Sequence, residues 1–200
     1  MKILYGTGNQ GKLEAMRRAL KGLDLEISGL KEYSGAIPKV AEDGLTPLDN
    51  ARLKAIAYYK AFHVPVFSCD SGLYFEGLPE DCQPGVHVRR INGKELNDAE
   101  MIEYYSSLAK CFGKLKARYK NAVCFVLDEE HIYESMADNL SGESFYLVDT
   151  PHSRRAEGFP LDSLSVHIES GLYYYDRKET NPDELAMDTG FYEFFQKIEL

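Results

Sequence analysis

The stretch Tyr5-Gly6-Thr7-Gly8-Asn9-Gln10-Gly11-Lys12 gathers glycines, a hydroxyl, an amide and an ammonium into one short turn. Glycines let backbone N–H groups approach an anion, a helix N-terminus adds partial positive charge, and Thr7, Asn9 and Lys12 are donors suited to phosphate oxygens. Gly6, Gly8 and Gly11 fit the G-x-G-x-x-G spacing of dinucleotide turns, with Asp24 or Glu26 near the distance of a ribose-binding acid. Gly6 to Lys12 also fits G-x-x-x-x-G-K, but Leu13 stands where a P-loop carries Ser or Thr. By these residues alone, a phosphate cradle and an ordinary strand-to-helix turn are both open.

Two other stretches carry chemistry-bearing groups. In "EDGLTPLDNARLKA", residues 42 to 55, Glu42 and Asp43 precede a capped helix and Lys54 lies two turns inside it. In "CDSGL", residues 69 to 73, Asp70 stands beside Ser71. Phosphoryl transfer asks for charge neutralisation and a positioned nucleophile, which lysines, carboxylates and a hard cation can supply. Taken singly, the first is also a solvated helix and the second a turn-forming acid.

The elements that must position these groups follow from periodicity and caps. Lys2 to Tyr5 reads as a buried strand, followed by a helix with Leu13, Met16, Arg17 and Leu20 at helical spacing. Leu23 to Ile27 alternates as a second strand. Thr46-Pro47-Leu48-Asp49 predicts a helix start with Thr46 as N-cap, running to about Phe62. Val64 to Ser68 reads as a strand closed by Asp70-Ser71-Gly72, which places Asp70 at a strand end. Asn97 opens a helix to about Phe112. Ala122 to Leu127, His131 to Met136 and Glu143 to Val148 read as an antiparallel meander. "TPHSRRAEGFPLD", residues 150 to 162, reads as a site-lining loop before a short strand at 164 to 168, and Asn181-Pro182 starts a last helix to about Ile198.

Two hundred residues with 44% hydrophobic content suit one domain, or two lobes sharing a sheet. Apolar runs are too short for a membrane span or signal peptide. Cys69, Cys82, Cys111 and Cys124 show no metal-site spacing, so they are expected as reduced thiols in a cytoplasmic protein. A net charge of −9 disfavours a nucleic-acid polymer as partner. Histidines 63, 87, 131, 152 and 167 form no sequence-visible cluster, and Tyr173 to Tyr175 read as packing.

In register, T-G-N-x-x-K, then E-x-G-x-T-x-x-[ED]-N-A-x-L-K-A, then D-S-G-L resemble the Ham1/inosine triphosphate pyrophosphatase family. "PGVHVRRING", residues 84 to 93, and "EGFPLD", residues 157 to 162, extend the resemblance over roughly the first 165 residues. The resemblance implies an α/β fold: a long mixed β-sheet with flanking helices forming two lobes around a central cleft, in one domain over residues 1–200 without an independent linker. It implies a homodimer that hydrolyses non-standard purine nucleoside triphosphates to monophosphate and pyrophosphate. Thr7, Asn9, Lys12 and Lys54 would cradle the triphosphate, with Ser71 bonding a phosphate oxygen and Arg90 either anchoring its loop or reaching the substrate. Glu42 and Asp70 would hold Mg²⁺, with Mn²⁺ as an alternative, and Asp70 would activate water with Lys54 as catalytic partner. Phe159 and Asp162 would meet the base; Arg154 and Arg155, just upstream and outside the motif, are either solvated loop residues or stand in for a guanidinium the family supplies from its C-terminal end.

Three departures accompany the resemblance. Cys69 stands where the family commonly has a second acid, and a thiol is a poor ligand for Mg²⁺. The family's C-terminal S-H-R is missing from "DELAMDTGFYEFF", residues 183 to 195, where Asp188 and Thr189 offer an acceptor and a hydroxyl. "FPLD" replaces F-G-Y-D, so Pro160 removes a backbone donor. These departures keep open a nucleotide-binding sensor without turnover, or a pyrophosphatase with altered substrate preference.

Overall fold

A computed structural model describes residues 1–33, 36–177 and 182–198, with backbone alone across 182–187. In chain order the elements are β1 (Lys2–Tyr5), α1 (Gln10–Ala19), β2 (Glu26–Gly29), α2 (Pro47–Phe62), β3 (Val66–Phe75), β4 (Arg90–Ile91), β5 (Lys94–Glu95) and α3 (Asp98–Phe112). They continue with β6 (Leu115–Val126), β7 (Ile132–Ser135), β8 (Phe145–Leu147), β9 (Ser165–His167) and α4 (Pro182–Gln196). The main sheet is mixed, in the order β2-β1-β3-β6-β8-β9, with β7 paired to β6. The expected α/β class with a long mixed sheet is therefore what the chain forms. Among the described residues no helix is long and apolar enough to cross a membrane.

The chain divides into two compact units, the first comprising Met1–Ser71, Lys120–Gly142 and Pro182–Leu200. Here β1 pairs in parallel with β2 and β3, in the registers Ile3↔Ile27 and Tyr5↔Phe67. Successive strand residues enter different cores, as the two-residue pleat requires. Ile3, Tyr5, Phe67, Val123 and Phe125 pack with Leu13, Met16, Phe191 and Phe195 of α1 and α4. Leu4, Val66, Ala122, Cys124 and Val126 pack instead with Ala51, Ala55 and Tyr58 of α2. A strand covered on both faces must be apolar throughout, which is why Ile3-Leu4-Tyr5 shows no alternation.

Helix α2 begins as its caps dictate. The Thr46 hydroxyl accepts from Asp49 N–H while the Asp49 carboxylate accepts from Thr46 N–H, and Pro47 takes the first helical position. His63, in the left-handed region at φ 52°, ends it.

The second unit comprises Gly72–Tyr119 and Glu143–Asn181. The first part of β6 pairs antiparallel with β8, and β8 with β9. Met101, Tyr105 and Ala109 of α3 pack with Leu73, Phe75, Leu147 and Leu164. Asn97 and Glu100 form the capping box of α3. Asn92 and Gly93, both at positive φ, make the two-residue turn between β4 and β5.

Several local expectations need correction. The second strand lies at Glu26–Gly29 rather than Leu23 to Ile27, since its register on β1, and not its own alternation, decides its bounds. Strand β8 pairs with the first part of β6 instead of extending a meander from β7. Strand β3 continues to Phe75, because Leu73 and Phe75 are buried beyond the Asp-Ser-Gly step, so Asp70 lies within a strand and not at its end. The start of the last helix at Asn181 lies outside the described residues.

A candidate active site around strand β3

The glycine turn is shaped from within. Gly6 N–H donates to Phe67 O at 2.8 Å, and a Cβ at Gly6 would fall 2.1 Å from Ser68 Oγ and 2.7 Å from Tyr58. A Cβ at Gly8 would meet nothing within 4 Å. Packing therefore demands glycine at position 6 but not at position 8. Asn9 is the N-cap of α1, its Oδ1 accepting from Lys12 N–H at 3.2 Å, and Thr7 Oγ1 accepts from Asn9 N–H at 3.2 Å. These bonds use the acceptor atoms of both side chains. Among the described residues, the Thr7 O–H and Asn9 amide N–H groups stay available as donors at the start of a ten-residue helix.

On the α2 side of β3 lies a charged chain. Lys54 Nζ donates to Glu42 Oε2 at 3.0 Å and to Asp70 Oδ1 at 2.8 Å. Asn50 Nδ2 donates to the other Asp70 oxygen, Oδ2, at 3.1 Å. The side chains of Lys54 and Asp70 are 11% and 16% exposed, whereas Glu42 is half-exposed at the rim. Burial opposes the Lys54 charge, but Asp70 and Glu42 outweigh it and hold the ammonium pKa above its usual value. The cluster thus presents two carboxylates bridged by one cation.

The pleat of β3 sends its next residues elsewhere. Cys69 packs with the core of α1 and α4, and burial pushes its thiol up to about 12, while a hydrogen bond with Tyr5 works the other way. Ser71 Oγ donates to Asn121 Oδ1 at 2.7 Å, and Asn121 Nδ2 donates in turn to Leu140 O at 2.8 Å. Cys69, Ser71 and Asn121 line a cavity of about 140 Å³ with Tyr5, Lys12 and Asp188. The residues expected to act together therefore fall into two groups: Glu42, Lys54 and Asp70 on one face, Lys12 and Ser71 on the other, with the Thr7–Asn9 turn following β1.

The remaining expected residues belong to the second unit. Arg90 is exposed on β4, beside a cavity lined by His87 and Tyr104. The anchoring arginine is its neighbour: Arg89 Nη1 donates to Asp98 Oδ1 at 2.7 Å, and Gly158 N–H donates to Asp98 Oδ2 at 2.8 Å. Arg154 lies 5.0 Å over the Tyr175 ring, and Arg155 Nη1 donates to Arg154 O at 2.9 Å. Phe159 is 56% exposed, and burial raises the Asp162 carboxyl pKa. Pro160 opens a short 3-10 turn, Pro160–Leu164. Tyr173 and Tyr174 donate their hydroxyls to Thr150 O and Glu143 Oε1, while the ring of Tyr175 meets Arg154.

A model described as the Ham1 family matches residues 3–164, which contain Glu42, Lys54 and Asp70. The chain belongs to the Ham1 family. Among curated relatives of this Ham1 chain, the dITP/XTP pyrophosphatase of Deinococcus deserti is 33% identical over 165 residues, covering 82% of the chain and 73% of the relative. That of Porphyromonas gingivalis is 33% identical over 187 residues, covering 92% and 90%. A HAM1 protein from Coxiella burnetii shares the fold at TM-score 0.76 and 21% identity, covering 96% of this chain and 94% of the other.

For a Ham1 protein, the donor chemistry near Asp70 bears on a metal. Among the described residues no group of three or more His, Cys, Asp or Glu side chains converges to hold an ion. Glu42 and Asp70 offer two hard carboxylates, and Mg²⁺ is commonly held by one or two carboxylates together with substrate phosphates and water. The pair fits that mode. Cys69 points away from it. Sequence reasoning missed Asn50, whose signal was an amide placed one helical turn before Lys54 in "LDNARLKA".

Proposed function

We propose that this protein is a nucleoside triphosphate pyrophosphatase acting on non-standard purine triphosphates such as dITP and XTP, yielding nucleoside monophosphate and pyrophosphate. The observation that carries the reading is the Lys54 bridge, at 3.0 and 2.8 Å, between Glu42 and Asp70. Membership of the Ham1 family and the dITP/XTP pyrophosphatase activity named for the two relatives support the substrate class.

In this reading Asp70 accepts the proton of a water whose oxygen attacks the α-phosphorus. The bond from that phosphorus to the bridging oxygen breaks, and pyrophosphate leaves. Lys54 orients Asp70 through the bond to Oδ1, and Lys12 with the Thr7 and Asn9 donors binds the triphosphate chain. Mg²⁺ held by Glu42, Asp70 and phosphate oxygens would neutralise charge on the phosphates, with Mn²⁺ as an alternative. Phe159, exposed for stacking, and Asp162, with Arg154 and Arg155, are assigned to the base, and Arg90 and Ser71 to supporting contacts. A homodimer in the cytoplasm belongs to the same reading; four free cysteines support a reducing compartment.

The test is pyrophosphate release from a panel of standard and deaminated triphosphates with Mg²⁺ or Mn²⁺. Release preferring dITP or XTP is expected. Binding without release on every member would replace the enzyme by a nucleotide sensor, and release confined to non-purines would overturn the base assignment.

A further inference from the structure

Asn50 is 2% exposed, and both ends of its amide are engaged. Its Oδ1 accepts from Gly44 N–H at 2.8 Å, and its Nδ2 donates to Asp70 Oδ2 at 3.1 Å. The orientation of the amide is fixed by its partners: Gly44 N–H can only donate and an ionised carboxylate can only accept. A Cβ at Gly44 would fall 2.7 Å from Asn50 Oδ1 and 2.5 Å from Asp49 Cβ, so the loop passes the helix at a distance that only glycine allows. Asp70 is consequently gripped at both oxygens, by Lys54 at Oδ1 and Asn50 at Oδ2. Lys54 also reaches Glu42, two residues before Gly44. The loop that presents Glu42 and the strand that presents Asp70 are thus tied together twice through α2.

We infer that Asn50 is a positioning residue for the reaction: it fixes the rotation of the Asp70 carboxylate and couples it to the loop bearing Glu42. The inference rests on the pyrophosphatase reading. A carboxylate held by Lys54 alone can pivot about that single bond, and a base that must meet one water loses rate when it pivots. Asn50 touches neither phosphate nor water in this account, so its loss lowers kcat and leaves nucleotide affinity nearly intact.

Two near-isosteric variants separate this role from a purely structural one. Asn50→Asp keeps an oxygen acceptor for Gly44 N–H but removes the donor to Asp70, whereas Asn50→Leu removes both bonds without adding charge. Turnover of dITP is measured at saturating metal, affinity is measured with an analogue carrying a non-hydrolysable α,β-imido bridge, and folding is followed by thermal denaturation. A fall in kcat of about 10- to 100-fold in both variants is expected, with analogue affinity within about threefold of wild type. A folded Asn50→Asp with kcat within about threefold of wild type would overturn the inference. Failure of both variants to fold would overturn it too, by placing the residue's role in the fold. No release from wild-type protein would instead sink the pyrophosphatase reading itself.

Discussion

Cys69 and Asp70 are neighbours in the chain but serve opposite sides of strand β3: the thiol packs into the core of α1 and α4, while the carboxylate meets Asn50 and Lys54 of α2. The cysteine therefore leaves the pair formed by Glu42 and Asp70 as it is. Cys69→Ser is expected to change kcat by less than about threefold, with the ratio of Mg²⁺- to Mn²⁺-supported rates unchanged. A tenfold or larger change in that ratio, in steady-state kinetics, would count against this separation of faces.

Lys54 is the cation of the cluster, and its removal leaves the largely covered Asp70 carboxylate with Asn50 as its remaining hydrogen-bond partner among the described residues. Lys54→Met is expected to lower stability by about 3 kcal/mol. Denaturant unfolding monitored by far-ultraviolet circular dichroism checks this value. A loss below about 1 kcal/mol would mean that the bridge contributes no more than an exposed pair.

The first two glycines of the turn respond differently to a methyl group. Gly6→Ala forces a Cβ to within 2.1 Å of Ser68 Oγ, and a cost of about 1–3 kcal/mol follows from overpacking. Gly8→Ala, with nothing within 4 Å, changes stability by less than about 0.5 kcal/mol. Thermal denaturation of the two variants side by side tests the contrast, which equal losses would contradict.

Asp98 joins Arg89 to Gly158 in the second unit. The Gly158 N–H bond, then Arg89, lower the Asp98 carboxyl pKa below its ordinary 3.8. A lowered carboxylate pKa means that this contact persists above 3.8 and is lost only as pH falls through the smaller folded-state value. The Gly158 amide proton in a pH titration by nuclear magnetic resonance is expected to shift with a midpoint below 3.8. A midpoint above it would show that the carboxylate gains nothing from these partners.

Features written in neighbouring residues were legible from the sequence. The Thr46–Asp49 and Asn97–Glu100 caps are complete within four residues, and both helices start where those caps place them. Glu42, Lys54 and Asp70 were legible through a spaced motif, and the chain does bring them into contact. What depended on distant partners was not. The bounds of β2 and the pairing of β8 are set by β1 and β6. Ending β3 before Asp70 hid the parity that sends Cys69 and Ser71 away from it, and the amide one turn before Lys54 marks Asn50 as a neighbour of that lysine without showing that its partner is an acid twenty residues on.

In the proposed mechanism water attacks the α-phosphorus with Asp70 as its base. Turnover of dITP in heavy-oxygen water, analysed by mass spectrometry of both products, tests it most directly. The heavy atom is expected in the nucleoside monophosphate and none in pyrophosphate. Label appearing in pyrophosphate would place the attack on the β-phosphorus and contradict it.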